Sequence, residues 1–134
     1  MYPSKTLAKL RGGLPACSTK LNLSDPRAAQ IAAMAGFDCI WLDMEHVPNG
    51  IAAIEAQMLA ARVHGADSLV RVARGSYSAY VRPLELGATG IMVPHVMSLA
   101  DAQNVVRMTR FHPIGRRPLD GGNADGDYTR TPLG

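Results

Sequence analysis

The chain has 134 residues, 47% of them hydrophobic and 19% charged, a balance that excludes a fibre or a disordered tail and suits one well-packed domain. No apolar run reaches the roughly 18 residues of a spanning helix, and the basic start MYPSKTLAKLRGG lacks the apolar stretch of a secretion signal, so no membrane contact and a cytoplasmic location are expected. A net charge of +3 carried by scattered basic residues argues against nucleic acid, even where Arg71, Arg74 and Arg82 bracket Tyr77 and Tyr80.

Strand-like apolar runs alternate with stretches of helical periodicity, the pattern of βα units around a parallel sheet. Residues 15–23 hold a weak first strand. Asp25 and Pro26 then supply an N-cap and a first-turn proline for a helix over 28–35, closed by Gly36. The run 37–42 forms the second strand and ends at Asp43; Asn49 is expected to cap a helix over 50–63 that Gly65 stops. Residues 68–70 form the third strand, up to Arg71. The following helix, 77–86 with Gly87 as its stop, contains Pro83 and is expected to bend or break there. Residues 88–93 form the fourth strand and 98–110 the fourth helix, with Ser98 and Asp101 favouring its first turn. Cys17 and Cys39 have no CxxC spacing and lie among apolar residues, so both are expected as buried, reduced thiols.

From Phe111 the periodicity gives way to Gly, Pro, Asp and Asn, so residues 111–134 read as a terminal loop. A loop of that length with nothing after it suggests that a further βα unit should follow.

In parallel βα folds, catalytic side chains gather at the carboxyl ends of strands. Here the second strand ends in Asp43-Met44-Glu45-His46, the third in Arg71 and the fourth in Pro94-His95. Imidazole titrates near neutral pH, so His46 suits a general base, with Asp43, Glu45 and Glu85 as candidate carboxylate neighbours. Arg71 follows the apolar Leu69-Val70, where a permanent charge is costly unless it faces a cleft and meets an anion. A keto-acid carboxylate or an enolate oxygen fits that need, and so does an ion pair with Glu45 or Glu85. His95 and His64 fit solvated or capping roles better. No H-x-H, C-x-x-C or paired-carboxylate motif offers metal ligands within the chain.

These residues carry a resemblance. Gly36-Phe37-Asp38, Trp41-Leu42-Asp43-Met44-Glu45-His46 with Pro48-Asn49, Val70-Arg71-Val72, Leu86-Gly87-Ala88, Ile91-Met92-Val93-Pro94 and Thr109-Arg110-Phe111-His112-Pro113-Ile114-Gly115-Arg116-Arg117 resemble, in order and spacing, the HpcH/HpaI aldolase family of class II enzymes acting on 2-oxo acids. The likeness covers roughly residues 25 to 120. It implies an α/β fold that is a partial TIM (β/α)8 barrel of about four βα units, with residues 1–134 as the N-terminal half of a single aldolase barrel domain.

The resemblance further implies cleavage of a 4-hydroxy-2-oxo acid to pyruvate, or a related 2-oxo acid, and an aldehyde. In that reaction His46 takes the proton of the substrate hydroxyl, and Arg71 stabilises the developing negative charge. Glu85 falls at the acidic residue that raises the histidine's basicity, where the family more often has Asp. Asp43 and Glu45 join Arg71 as substrate-binding residues. The family's divalent metal, Mg²⁺, Mn²⁺ or Co²⁺, takes carboxylate ligands that are expected beyond Gly134, and the complete protein is expected to be a homo-oligomer. The family's tryptophan-bearing first strand aligns with Thr19-Lys20-Leu21, which points to a different substrate preference.

The alternative is a catalytically silent, truncated half-barrel without the metal ligands. A phosphate-handling isomerase barrel would need an anion loop opening a helix, and no helix visibly follows the glycine-rich residues 121–126.

Overall fold

The computed structural model describes residues 2–130; positions 131–134 of the expected terminal loop lie outside the described residues. The element order is α1 (Lys5–Arg11), β1 (Ser18–Lys20), α2 (Pro26–Met34), β2 (Cys39–Asp43), α3 (Ile51–Val63), β3 (Asp67–Arg71), α4 (Tyr77–Glu85), β4 (Gly90–Met92) and α5 (Leu99–Thr109), followed by a 3₁₀ turn at Ala124–Gly126. All four strands are parallel and lie in the order β1-β2-β3-β4. The expected α/β architecture of four βα units is therefore present.

Local chemistry explains most of the boundaries. The Asp25 side chain accepts from Arg27 N–H at the start of α2, and Ser98 Oγ accepts from Asp101 N–H at the start of α5. Four expectations need correction. The first strand is only three residues long, its register with β2 running from Ser18 to Lys20. Asn49 does not cap α3: Gly50 stands at the N-cap, and the Asn49 amide donates instead to the Asp43 carbonyl at 2.8 Å. Pro83 does not break α4, because it lies in the last turn, where its missing N–H forfeits only the bond to Ala79 and its ring is buried. Cys39 is buried, whereas Cys17 is exposed, and both are free thiols.

Side-chain alternation divides the sheet into two faces. Ile40, Leu42, Val70 and Val72 point to the helices and join Ala29, Ala33, Ile54, Met58, Ala61 and Tyr80 in one core. On the other face the register sets side chains in rows: Ser18, Cys39 and Asp67; then Lys20, Trp41, Leu69 and Gly90; then Asp43, Arg71 and Met92.

Helix α1 closes the amino end of that second face. Asp67 accepts from Ser4 Oγ and Thr6 N–H, both at 2.7 Å. Buried Asp38 accepts from Lys9 Nζ at 2.7 Å and Cys17 N–H at 2.9 Å, and pairs with Lys5 Nζ at 3.0 Å. The Lys9 ammonium, the Cys17 amide and Lys5 hold the Asp38 carboxyl well below the usual carboxylate range. A cavity of about 170 Å³ lies between α1 and the strands, lined in part by Leu7, Cys39, Leu69 and Gly90. The terminal segment folds back on α5 through Arg116 N–H to the Arg107 carbonyl (2.6 Å). Buried Arg117 there pairs with Asp125 and stacks over Phe111 at 4.6 Å.

Candidate active site

The opposite, carboxyl end of the sheet is built around Asp43, the last residue of β2 and fully buried. Register places Arg71 of β3 beside it. The guanidinium grips the carboxylate with two nitrogens: Nε donates to Oδ1 at 3.0 Å, and Nη2 contacts Oδ2. Lys20 of β1 adds a second cation, its Nζ 3.0 Å from Oδ2. The same Oδ1 accepts from the backbone N–H of Glu45 (2.9 Å) and His46 (3.3 Å). One carboxylate thus orients two cations and folds the bend that carries the next two polar side chains.

These contacts set the charge states. Hydrogen bonds from Arg71, the Glu45 amide and Lys20 outweigh the cost of burial and hold the Asp43 carboxyl well below the usual carboxylate range. In return, Asp43 raises Arg71 above its already high value. Both cations lie over the Trp41 ring, Lys20 at 5.6 Å and Arg71 at 5.3 Å from its centroid. The loop is tied down behind the site, where Gln57 Nε2 donates to Asn49 Oδ1 at 3.2 Å while Asn49 holds the Asp43 carbonyl.

Glu45 is the junction of the rim. Its Oε2 lies 3.3 Å from Arg71 Nε and 3.5 Å from His46 Nε2, and its Oε1 lies 3.4 Å from His95 Nε2. Asp43, Glu45, His46 and Arg71 therefore meet at one end of one face.

Glu85 is placed elsewhere. It is the last residue of α4, a helix that starts beyond the carboxyl end of β3 and runs back toward the start of β4. Because helices in βα units run antiparallel to their strands, Glu85 falls at the amino end of the sheet. The carboxylate beside His46 in this chain is Glu45. Two further rim residues are Lys20, which the resemblance places in the first-strand stretch tied to substrate preference, and Trp41, which had no site role in the motif reading. His95, which reads from sequence as a solvated or capping residue, also joins the rim.

Comparisons with known proteins place the chain in a family. Residues 21–128 match the HpcH/HpaI aldolase/citrate lyase family. The chain is 36% identical over 109 residues to a hydroxypyruvate/pyruvate aldolase of Pseudomonas aeruginosa, covering 81% of this chain and 41% of that protein. It is 32% identical to a 4-hydroxy-2-oxo-heptane-1,7-dioate aldolase of Escherichia coli, covering 82% of this chain and 42% of that one. The crystal structure of an HpcH/HpaI aldolase from Desulfitobacterium hafniense superposes with a TM-score of 0.84 at 30% identity, over 96% of this chain and 49% of its own. The chain thus spans less than half the length of these relatives.

Proposed function

Since the chain belongs to the HpcH/HpaI aldolase/citrate lyase family, we propose that it supplies the proton- and charge-handling groups of a class II aldolase that cleaves a 4-hydroxy-2-oxo acid to pyruvate, or a related 2-oxo acid, and an aldehyde. The observation that carries this reading is the meeting of a histidine and a clamped arginine at Glu45, on the rim where βα enzymes do their chemistry. His46 accepts the C4 hydroxyl proton, the C3–C4 bond breaks to release the aldehyde, and its electron pair passes into the enolate of the 2-oxo acid. Asp43 and Glu45 engage Nε and Nη2 of Arg71, so Nη1 is the donor that these carboxylates leave for the substrate's negative charge. Asp43 acts through Arg71 and Lys20, by holding both in place before substrate arrives.

Among the described residues, no group of three His, Cys, Asp or Glu side chains is placed to hold a metal ion. The divalent ion of class II aldolases, Mg²⁺, Mn²⁺ or Co²⁺, therefore draws its ligands from other residues in this reading, and no step above runs through it. None of the described helices is long and apolar enough to cross a membrane. Exposed Ile31, Met34, Leu59 and Val63 on α2 and α3 support a homo-oligomer.

Pyruvate release from 4-hydroxy-2-oxo acids, followed by coupling to lactate dehydrogenase, tests the proposal on the whole protein. Release should stop with a chelator and return with Mg²⁺ or Mn²⁺. The 134-residue chain by itself should bind neither ion tightly in calorimetric titration. Cleavage that persists in excess chelator, or no cleavage of any such acid, would remove the metal-aldolase reading.

A further inference from the structure

Two cations converge on one carboxylate at the rim, and their charges are not equally well answered. Arg71 Nη2 and Lys20 Nζ both reach Oδ2 of buried Asp43, from the strands on either side of β2. Arg71 is faced by Glu45 as well as Asp43, and only 16% of its side chain is exposed. Lys20 has Asp43 as its one carboxylate among the described residues, shares that carboxylate with Arg71, and leaves 30% of its side chain exposed.

The backbone explains how Lys20 comes to the rim. It stands opposite Trp41, two positions before Asp43, so its stem runs along the strand toward the carboxyl end before Nζ meets Asp43. An ammonium carries three N–H donors. Asp43 engages it at 3.0 Å from one side, and the Trp41 ring, at 5.6 Å from Nζ to centroid, adds only the weaker attraction of an aromatic face. Donors are therefore left over on a cation whose charge is half answered, and a charge-assisted contact to an anion satisfies both.

We propose that Lys20 is a substrate-binding residue, whose ammonium takes a carboxylate of the substrate while Arg71 takes the charge that develops in the enolate. The identity of the substrate rests on the aldolase reading above, whereas the pairing of the two cations rests on geometry alone. Because both cations touch the same oxygen of Asp43, a small anion that reaches Arg71 Nη1 also comes within range of Lys20. That carboxylate has two sources, C1 of the 2-oxo acid or a second acidic group on the aldehyde portion, and the chemistry of the contact is the same for both.

The division of labour follows from the side-chain types. Arg71 is a planar fork fixed by Asp43 through Nε and Nη2, so Nη1 points in one set direction, which suits a charge that appears only as the bond breaks. Lys20 ends a flexible stem and can follow a charge already present in the ground state. Its loss therefore weakens the binding of substrate and transition state alike, which raises KM and spares kcat. A Lys20 that served only to support Asp43 would act through Arg71 instead, and its loss would lower kcat.

Lys20→Met keeps an apolar stem and leaves Asp43 with Arg71 and two backbone amides, so the bend after β2 retains its anchors. In the whole protein with Mg²⁺, KM for a 4-hydroxy-2-oxo acid should rise about 10-fold to 100-fold, the range for loss of a hydrogen bond to a charged group, with kcat little changed. Lys20→Gln, which keeps a donor for Asp43 without the charge, should behave in the same way, and Lys20→Arg should recover most of the affinity. Calorimetric titration with pyruvate, together with cleavage of one acid with a neutral tail and one with a carboxylate tail, separates the two sources. Weaker binding of pyruvate and of both acids assigns Lys20 to C1, and a loss confined to the acidic tail assigns it to the aldehyde portion. Unchanged affinity for pyruvate and both acids, or a fall in kcat without a change in affinity, overturns the proposal. The titration needs no turnover, so Lys20-dependent pyruvate binding by a protein that cleaves no hydroxy-oxo acid would retain the contact and remove the aldolase reading instead.

Discussion

Asp43→Ala is expected to destabilise the protein by about 3 kcal/mol, because it strands two cations that share one buried carboxylate. It also removes the acceptor for the Glu45 and His46 amides, so the bend after β2 loses its fold along with its charge balance. Urea unfolding followed by the fluorescence of Trp41, the one tryptophan of the chain, reads the change at the site itself, since Arg71 and Lys20 lie over that ring. The effect has a pH signature. The folded carboxyl titrates below its unfolded value of about 3.9. Its contribution is therefore present above that pH and is lost as pH falls through the depressed folded value, because the unfolded chain takes up the proton first. Asp38, held down by Lys9, Cys17 and Lys5 at the other end of the sheet, follows the same sign. The gap in stability between parent and Asp43→Ala should be full at neutral pH and narrow as the solution is acidified below about pH 4. A gap that stays constant to the lowest pH would mean that the ion-pair cluster contributes nothing to folding.

His46→Ala should lower kcat for cleavage of a 4-hydroxy-2-oxo acid about 10²-fold to 10⁴-fold, the range for loss of a positioned base. Substrate affinity should change little, because the proton moves only in the transition state. Arg71→Ala should behave differently. It removes charge stabilisation worth about 10²-fold to 10³-fold and also weakens binding of the 2-oxo acid, so kcat falls and KM rises together. Steady-state kinetics on the whole protein separates the two patterns. Equal effects of both substitutions on KM would reassign His46 to binding, and undiminished cleavage in either variant would take that residue out of the mechanism.

The second βα unit was the most legible part of the chain, and for a physical reason. A buried strand and its helix leave a dense apolar run, a glycine stop and a polar strand end, and these appear as residues 37–42, Gly65 and Asp43-Met44-Glu45-His46. The rule that parallel strands deliver side chains at their carboxyl ends then brought Asp43, Glu45, His46 and Arg71 together before any coordinates. Helix α1 was not legible, because seven residues with no buried side chain leave no periodicity; only Ser4 and the Gly12-Gly13 pair mark its ends. The role of Asn49 was hidden by its own chemistry, since the residue type that caps helices also holds loop carbonyls, and a sequence does not say which. The pairing of Lys20 with Asp43 was not legible, because its strand has only three residues and no alternation to read. Motif spacing assigned Glu85 to His46, yet fourteen positions after Arg71 is also the length of a loop and a nine-residue helix running to the far end of the sheet. Chain distance carries no direction, and within the described residues the antiparallel course of α4 leaves Glu45, not Glu85, beside His46.

In the proposed reaction, Arg71, clamped by Asp43, stabilises the enolate of a 2-oxo acid. Exchange of the pyruvate methyl protons with deuterium, followed by NMR in D₂O with the whole protein and Mg²⁺ or Mn²⁺, tests that step without any aldehyde partner. Exchange should be fast with the parent protein, and Arg71→Ala should slow it by about 10²-fold or more. Equal exchange in parent and Arg71→Ala would contradict the account, because the enolate would then be forming without the charge that this rim is built to supply.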